Sequence, residues 1–135
     1  MKILVDSNVI IRFWKEPTKA AENVFRSEET FICGVVRSEL MHGARSEEDL
    51  ERIRGALDEF GFLRTADGDW DLLGRMLYAL RVNGLTVPFQ DALLAMLAVK
   101  NKMPLWTYDR HFQLIKQIFP DLTLFEPDGG DQAGL

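Results

Sequence analysis

Short apolar runs with the character of β-strands alternate along the chain with segments that have a helical pattern of apolar residues. The strand-like runs span residues 2–5, 30–33, 62–65, 105–108 and 122–125. Strands separated by helices pack as a parallel sheet with helices on both faces and right-handed crossovers between strands. The alternation therefore predicts an α/β fold of three layers, α/β/α, around a central parallel sheet of about five strands.

The helical segments have ends that the sequence marks. They span residues 8–15, 18–26, 35–45, 47–60, 70–83, 88–101 and 110–119. Thr18 is placed to cap the second segment, and Pro88 is placed to begin the sixth. The sixth segment is apolar on nearly every side after its first turn, so it is predicted to be a central, buried helix.

The length of the chain, 135 residues, is that of one domain, and a domain of about this size buries roughly two-thirds of its unfolded surface. Hydrophobic residues make up 47% of the chain, which is enough to form a core. Residues 1–126 are predicted to form this domain, and the Gly-rich residues 127–135 are predicted to be a flexible tail.

Several features predict a cytoplasmic protein. The longest wholly apolar stretch, residues 92–99, is far shorter than the roughly 20 residues that cross a bilayer. A strand-like run from the second residue onwards leaves no room for a secretory signal peptide. The single cysteine, Cys33, excludes an internal disulfide and resembles a buried residue at a strand end.

The formal net charge of −5 argues against a protein that coats nucleic acid through broad contacts with phosphates. It does not exclude a nuclease, because the acidic residues of a metal site would contribute to the excess of negative charge. A local basic rim can still exist on such a protein.

Four acidic residues stand where predicted elements begin or end: Asp6 after the first strand, Glu39 near the start of the third helix, Asp91 in the first turn of the apolar helix, and Asp109 after the fourth strand. Ligands of open parallel sheets bind beyond the carboxyl ends of the strands, where the strand order reverses. If the four ends meet there, they form a pocket of negative charge that requires a metal ion or protonation.

Each acid also has an ordinary structural explanation. Asp6 can cap the next helix, Asp91 can complement a helix dipole, and Asp109 can be a turn residue. Glu39 is harder to explain in this way, because it lies among apolar residues where an unpaired carboxylate is costly, although it can also face solvent. The joint pattern therefore carries more weight than any one of the four.

Four stretches that contain these acids occur in a characteristic order. They are DSNVII at 6–11, SELMHGA at 38–44, VPFQDALLA at 87–95 and LWTYDRHF at 105–112. Together they resemble the successive motifs of PIN-domain ribonucleases, and among these the VapC-type toxins of bacterial toxin–antitoxin pairs. The resemblance covers nearly the whole chain and leaves out only the tail.

The resemblance implies an endoribonuclease that depends on Mg²⁺ or Mn²⁺, with Asp6, Glu39, Asp91 and Asp109 as its catalytic and metal-binding acids. Asp6 and Asp91 are favoured as direct ligands. It also implies a small VapB-like antitoxin as partner and a homodimer.

The chemistry of the candidate ligands agrees with the implied cations. Hard oxygen ligands suit Mg²⁺ and Mn²⁺, whereas the two histidines of the chain are too few and too poorly spaced for zinc.

Three polar residues next to the acids are candidates for supporting roles. Ser7, Asn8 and Thr107 can hold the carboxylates or the attacking water by hydrogen bonds. Roles as capping or strand-end residues explain them equally well.

Basic residues near the motif ends are candidates for contact with RNA phosphates. They are Arg12, Lys15, Arg37 and Arg110. Scattered surface Arg and Lys residues commonly serve solubility alone, so none of the four is decisive.

Two other classes of function compete with the nuclease. One is another Mg²⁺-dependent hydrolase that transfers phosphoryl groups, such as a haloacid-dehalogenase-like phosphatase. That chemistry requires a second Asp two residues after the first, where this chain has Asn8. The other is a non-catalytic PIN-like domain that binds a partner in its acidic groove, for which the loss of at least one acid would be expected.

Overall fold

Four strands and seven helices make up the computed structural model, which describes residues 1–127. The strands are β1 Lys2–Val5, β2 Glu29–Cys33, β3 Gly61–Leu63 and β4 Leu105–Trp106. The helices are α1 Ser7–Lys15, α2 Lys19–Ser27, α3 Gly34–His42, α4 Glu47–Leu57, α5 Asp69–Val82, α6 Phe89–Lys100 and α7 His111–Ile118. Of the predicted tail, residues 128–135 lie outside the described part of the chain.

The strands form one parallel sheet in the order β3-β2-β1-β4. The chain moves from β1 to β2 and β3 on one side of the sheet, and then returns to the other side of β1 with β4. The strand order therefore reverses between β1 and β4, and the carboxyl ends of these two strands mark the switch point where ligands bind in such sheets. The predicted α/β class is confirmed.

The predicted fifth strand is reduced to a single bridge, so the sheet has four strands rather than about five. Leu124 pairs with Leu105 in parallel. The N–H of Leu105 donates to the carbonyl of Thr123 at 2.8 Å, and the N–H of Phe125 donates to the carbonyl of Leu105 at 2.8 Å. Because β4 has only two residues, it offers one position for pairing, and a longer ladder cannot form beside it.

The ends of the helices agree with the sequence to within three residues. The side chain of Thr18 accepts a hydrogen bond from the N–H of Ala21 at 3.1 Å, which confirms it as the cap of α2. Helix α3 stops at His42, before the predicted residue 45, because the N–H of Gly43 donates to the carbonyl of Leu40 in a tighter turn. Helix α4 ends at Leu57 in a similar way.

The core lies on both faces of the sheet. Ile3, Leu4 and Val5 are all fully buried, and consecutive residues of a strand point to opposite faces, so both faces of β1 are covered. The helices contact one another in two groups, α3 with α1 and α4, and α6 with α5 and α7. All residues from Ala92 to Ala98 of α6 are buried, as the sequence predicts.

An ion pair between a buried acid and an exposed lysine joins the start of α5 to the end of α6. Asp69 is 1% exposed, and it accepts hydrogen bonds from the ammonium of Lys100 and from the N–H of Ala66. The Lys100 ammonium, followed by the Ala66 N–H, holds the pKa of Asp69 below its usual range. The pair fixes the end of α6 that lies opposite Asp91.

Within residues 1–127, no helix has the length and apolar character that a membrane span requires.

Candidate functional site

Asp6 is buried at the junction where β1 ends and α1 begins, and it is 6% exposed. Its Oδ1 accepts a hydrogen bond from the N–H of Ser7 at 2.7 Å. Its Oδ2 accepts from Thr107 Oγ1 at 2.8 Å and from Asn8 Nδ2 at 3.2 Å. The N–H of Asp6 donates to the carbonyl of Trp106 at 2.9 Å. These bonds fix the Asp6 carboxylate at the switch point between β1 and β4.

Asn8 and Thr107 tie the loop after β4 to the start of α1. Asn8 Nδ2 donates to Thr107 Oγ1 at 3.2 Å, and Asn8 Oδ1 accepts from the N–H of Tyr108 at 3.0 Å. Thr107 Oγ1 also accepts from the N–H of Asp109 at 3.1 Å. Through these contacts the position of Asp109 depends on the same network that holds Asp6.

The other three acids surround this junction from different elements. Asp91 lies half-buried in the first turn of α6, and Glu39 lies exposed on α3. Asp109 is exposed in the loop after β4, where its Oδ1 accepts from the N–H of His111 at 2.9 Å. The exposure of Glu39 answers the question that its apolar neighbours in the sequence left open.

The charges of the four acids act on one another. Burial raises the pKa of Asp6 and outweighs the hydrogen bonds from Thr107 and Ser7, and the charge of Asp109 adds to the rise. Burial, followed by the charges of Asp6 and Asp91, raises the pKa of Glu39. Burial, followed by the charges of Asp6 and Asp109, also raises the pKa of Asp91. Each of these carboxyls therefore resists ionisation, in part because its neighbours are acids.

No salt bridge within residues 1–127 offsets this repulsion, because the ion pairs there involve other acids. Carboxylate oxygens without a cationic partner are the ligand type that Mg²⁺ and Mn²⁺ prefer. The donor set therefore fits a hard divalent cation in its chemistry. Over the same residues, however, no three His, Cys, Asp or Glu side chains are gathered closely enough to hold a metal ion, so Glu39, Asp91 and Asp109 would have to turn toward Asp6.

The basic residues singled out in the sequence lie in different settings. Arg12 and Lys15 are exposed on α1, which begins at the site. Arg110 is exposed between Asp109 and α7. Arg37 is partly buried and forms an ion pair with Asp58 at 2.9 Å, so its guanidinium is already engaged within the fold.

His111 joins the site in the structure, although its sequence context indicated no role there. Its backbone N–H binds Asp109, and its imidazole lies close enough to Asp91 to act against the rise of that carboxyl's pKa. Its Nε2 is buried and makes no hydrogen bond in the described part of the chain. Its place two residues after Asp109 was the only signal available in the sequence.

Comparison with known proteins gives a family match. The family model of the PIN domain matches residues 3–117. No curated protein matches the chain in sequence.

Solved structures with a similar fold include three toxin–antitoxin complexes. VapBC2 from Rickettsia felis, bound to a promoter DNA fragment, has a TM-score of 0.78 at 19% identity and covers 95% of this chain and 100% of that chain. VapBC-1 from nontypeable Haemophilus influenzae has a TM-score of 0.76 at 21% identity, with coverage of 93% and 98%. DNA-bound VapBC from Salmonella typhimurium has a TM-score of 0.78 at 20% identity, with coverage of 93% and 97%. At these identities the likeness shows a shared fold.

The raised pKa values predict that neutralising one acid stabilises the protein in a chelating buffer. A carboxyl whose pKa is higher in the folded state than in the unfolded state lowers the free energy of unfolding when it ionises. This loss begins at the ordinary carboxyl pKa of about 4 and is complete once the pH exceeds the raised pKa. At pH 7, Asp91→Asn should therefore raise the free energy of unfolding by about 0.5–1 kcal/mol, and exposed Glu39→Gln by less because solvent screens it. Denaturant unfolding at pH 7 and below pH 4 measures the gain, which should vanish at the lower pH.

Two further variants test the cause of this gain. Asp6→Asn should bring none, because Asp6 accepts from Ser7 on one oxygen and from Thr107 on the other, and an amide has only one oxygen that can accept. Asp71→Asn changes an exposed acid in the first turn of α5, so it should leave the stability nearly unchanged. A loss of stability in Asp91→Asn would mean that Asp91 has a stabilising partner instead of repelling neighbours.

Proposed function

This chain belongs to the PIN-domain family, and we propose that it is a metal-dependent endoribonuclease that hydrolyses RNA phosphodiester bonds as the toxin of a VapBC-type pair. One observation supports this proposal above the others. Asp6 is buried at the switch point of the sheet, and its charge acts on the carboxyls of Glu39 and Asp91. Because these acids repel one another, the arrangement lowers the stability of the fold. Such a loss of stability is typical of active-site residues.

Asp6, Glu39, Asp91 and Asp109 would hold Mg²⁺ or Mn²⁺, with Asp6 and Asp91 as the favoured direct ligands. When bound, the cation would lower the pKa of a water molecule and offset the charge that develops on the phosphate oxygens. The remaining contributions come from the chain's own residues.

The hydrogen bonds around Asp6 keep its oxygens in one orientation. Ser7 and Thr107 each donate to a different oxygen, and Asn8 fixes Thr107 in turn. Because these donors favour the charged carboxylate, they keep Asp6 available as a ligand against the rise in pKa that burial causes. Ser7, Asn8 and Thr107 are therefore proposed as supporting residues.

Glu39 is suited to accept a proton. It is exposed, its pKa is raised, and it makes no hydrogen bond or ion pair that would hold it away from the site within the described residues. A carboxylate with a raised pKa is a better general base for water that attacks a phosphate. We assign this role to Glu39 in the proposed reaction, in which Asp6 and Asp91 hold the cation directly.

Contact with RNA would fall to basic side chains near the junction. Arg110 adjoins Asp109, and Arg12 and Lys15 lie on the helix that Asp6 begins. We propose that these three meet phosphates on either side of the cleaved bond. Arg37 is the weakest of the candidates, because it is partly buried and its ion pair with Asp58 at 2.9 Å would have to open. The ion pair of Arg12 with Glu16 is longer, at 3.9 Å, and lies exposed on the surface.

A small VapB-like antitoxin is the proposed protein partner. The similar structures named above are VapBC complexes, in which toxin and antitoxin occur together. A cluster of acids without a cationic partner is a docking point for an Arg guanidinium, which binds carboxylates in a bidentate manner. We propose that an Arg or Lys of the antitoxin reaches the four acids and so blocks the site.

A homodimer is the proposed assembly. Three of the apolar side chains exposed on α5 share one side of the helix: Trp70, Tyr78 and Val82 have exposed fractions of 52%, 61% and 56%. Their spacings are multiples of four residues, so they lie along one ridge of the helix. Gly74 stands between them with open space around its Cβ position. A second copy packed on this face would bury the ridge.

A non-catalytic PIN-like binding domain is the second candidate. The observation in its favour is the lack, within residues 1–127, of three side chains gathered to hold a metal ion. The presence of all four acids weighs against it. Another Mg²⁺-dependent phosphoryl-transfer hydrolase has less support, because Asn8 binds Asp6 and Thr107 at the position where phosphatase chemistry needs a second carboxylate.

The first prediction concerns RNA cleavage. Asp6→Asn and Asp91→Asn should each reduce metal-dependent cleavage at least about 100-fold, because each removes one charge from the proposed metal ligands at nearly constant shape. Asp71→Asn makes the same chemical change on an exposed part of α5 and should leave cleavage intact. Cleavage of a labelled RNA at saturating Mg²⁺ is the assay. Wild-type rates in both site variants, with contaminating nuclease excluded, would refute the proposal.

The second prediction concerns the antitoxin. Excess Mg²⁺ should weaken its binding if a basic residue of the antitoxin competes for the acids, whereas NaCl at equal ionic strength should have a smaller effect. Changing that basic residue to Gln should remove the difference between the two salts. Calorimetric titration of the complex measures both effects. Equal sensitivity to the two salts would place the inhibitory contact elsewhere.

The third prediction concerns assembly. Tyr78→Glu should convert the dimer to a monomer at micromolar concentration, because a buried charge without a partner is costly. Trp14→Glu introduces the same charge at an exposed aromatic residue of α1 and should leave the dimer intact. Light scattering distinguishes these states. A wild-type protein that is monomeric at that concentration would contradict the proposed assembly.

A further inference from the structure

An aromatic side chain is exposed on β3, the edge strand of the sheet. Phe62 has an exposed fraction of 48%, whereas Ile3, Leu4 and Val5 of the central strand β1 are fully buried. Strand β3 pairs with β2 on one side only, because the sheet ends there. The residues that follow it, 64–68, are exposed and include no large apolar side chain. The ring of Phe62 is therefore a single apolar contact point in polar surroundings.

The ring of Phe62 lies against the start of α3. Its Cζ is 3.7 Å from the position that a Cβ would take on Gly34, the first residue of that helix. This is an ordinary van der Waals contact, so it holds one edge of the ring without strain. About half of the ring's surface stays open to solvent beside the helix that carries Glu39.

Arg64 supplies a positive charge two residues after the ring. It is exposed, and it makes no ion pair within residues 1–127. Asp58, an acid shortly before β3, is already engaged by Arg37 at 2.9 Å. A guanidinium that no acid neutralises is suited to bind a phosphate, and an exposed ring beside it is suited to stack on a base.

The carboxyl end of β3 is level with Asp6. Leu4 of β1 pairs with Phe31 of β2. Two residues further, the same register brings Asp6 level with Cys33, which pairs with Leu63 of β3. Neighbouring strands are about 4.8 Å apart, so β3 lies about 10 Å from β1. A stacked strand of nucleic acid has one phosphate about every 3.4 Å, so about three nucleotides would span this distance.

We propose that a single-stranded segment of the RNA substrate runs from the acidic site along the carboxyl edge of the sheet to β3, where one base stacks on Phe62 and one phosphate binds Arg64. This inference rests on the proposed function and adds a second contact region to it. Phe62 and Arg64 hold the substrate away from the cleaved bond. The ring accepts any base, because every base has a face that can stack.

A protein partner fits this place less well than RNA does. A stable protein interface covers about 800 Å² on each partner and has an apolar centre. At β3 the exposed apolar surface is one ring, and the strand offers only three residues to an added strand. A base needs no more than one aromatic face, and the unneutralised charge of Arg64 matches a polyanion.

The first test changes the ring. Binding of a labelled single-stranded RNA is measured by fluorescence anisotropy at saturating Mg²⁺, in a full chain that carries Asp91→Asn so that cleavage is slow. Phe62→Leu keeps an apolar side chain but removes the stacking face, and it should raise the Kd about 10-fold. Phe62→Tyr keeps that face and should bind like the parent chain. Thermal melting checks that each variant is folded. A parental Kd in Phe62→Leu, or an equal loss in both variants, would overturn the proposal.

The second test changes the charge. Each phosphate contact of a single strand adds about 0.7 to the slope of log affinity against log salt concentration. Arg64→Gln should reduce this slope by about that amount, and Arg64→Lys should restore it. Arg26→Gln is the matched control, because Arg26 is exposed near the end of α2, which precedes β2 and so lies at the amino edge of the sheet. Equal slopes in Arg64→Gln and Arg26→Gln would refute the phosphate contact.

The third test locates the stacked base. Abasic nucleotides are placed one at a time along the RNA, and the Kd is measured for the parent chain and for Phe62→Leu. One position, separated from the cleaved bond by about three nucleotides, should weaken binding in the parent chain and have little effect in Phe62→Leu. Such non-additivity marks a direct contact. Penalties that are the same in both chains at every position would contradict stacking on Phe62.

These outcomes are distinct from a failure of the proposed function. A wild-type chain that neither binds nor cleaves RNA would contradict the nuclease itself. A wild type that cleaves RNA, with parental RNA affinity in Phe62→Leu and Arg64→Gln, would contradict this contact region alone. Weaker antitoxin binding in these two variants at unchanged RNA affinity would assign the surface to a protein partner instead.

Discussion

The contact between β1 and β4 beyond their last paired residues is the interaction on which the acidic site depends. The N–H of Asp6 binds the carbonyl of Trp106, and the side chains of Asp6, Asn8 and Thr107 close the same junction from above. This contact places a carboxylate against the strand end, where burial disfavours its charge. The hydrogen bonds to Asp6 offset part of the cost of burying its charge. The packing of the apolar residues of β1 offsets the rest of this loss of stability.

The other three acids reach the junction from three different elements. Asp91 stands on a helix whose far end is held to α5 by the ion pair of Lys100 with Asp69, and Asp109 stands on a loop held by Thr107. Glu39 is on α3, which follows the neighbouring strand β2. The sheet thus brings four carboxyls near one another without any direct bond between them, so their spacing can adjust while the fold stays intact.

The order of elements and the position of Asp6 could be predicted from the sequence, because both follow from local patterns. Strand β1 has the predicted bounds, and Thr18 caps α2 as its side chain suggested. The exposure of Glu39 could not be predicted, since it depends on how α3 rotates against the sheet. The loss of the fifth strand depends on the length of β4, and the burial of His111 Nε2 depends on how α7 packs in the fold. These are tertiary properties without a local signal.

The Asp6–Thr107 hydrogen bond joins residues that are 101 positions apart, and this separation has a consequence for synthesis. Closing so long a loop requires β4 to reach the sheet, so the junction is among the last parts of the fold that a growing chain can complete. An emerging polypeptide that has reached only β3 carries Asp6 and Glu39 but has neither Asp91 nor Asp109 beside them. The four acids can therefore meet only after synthesis has passed Asp109, whatever chemistry the site performs.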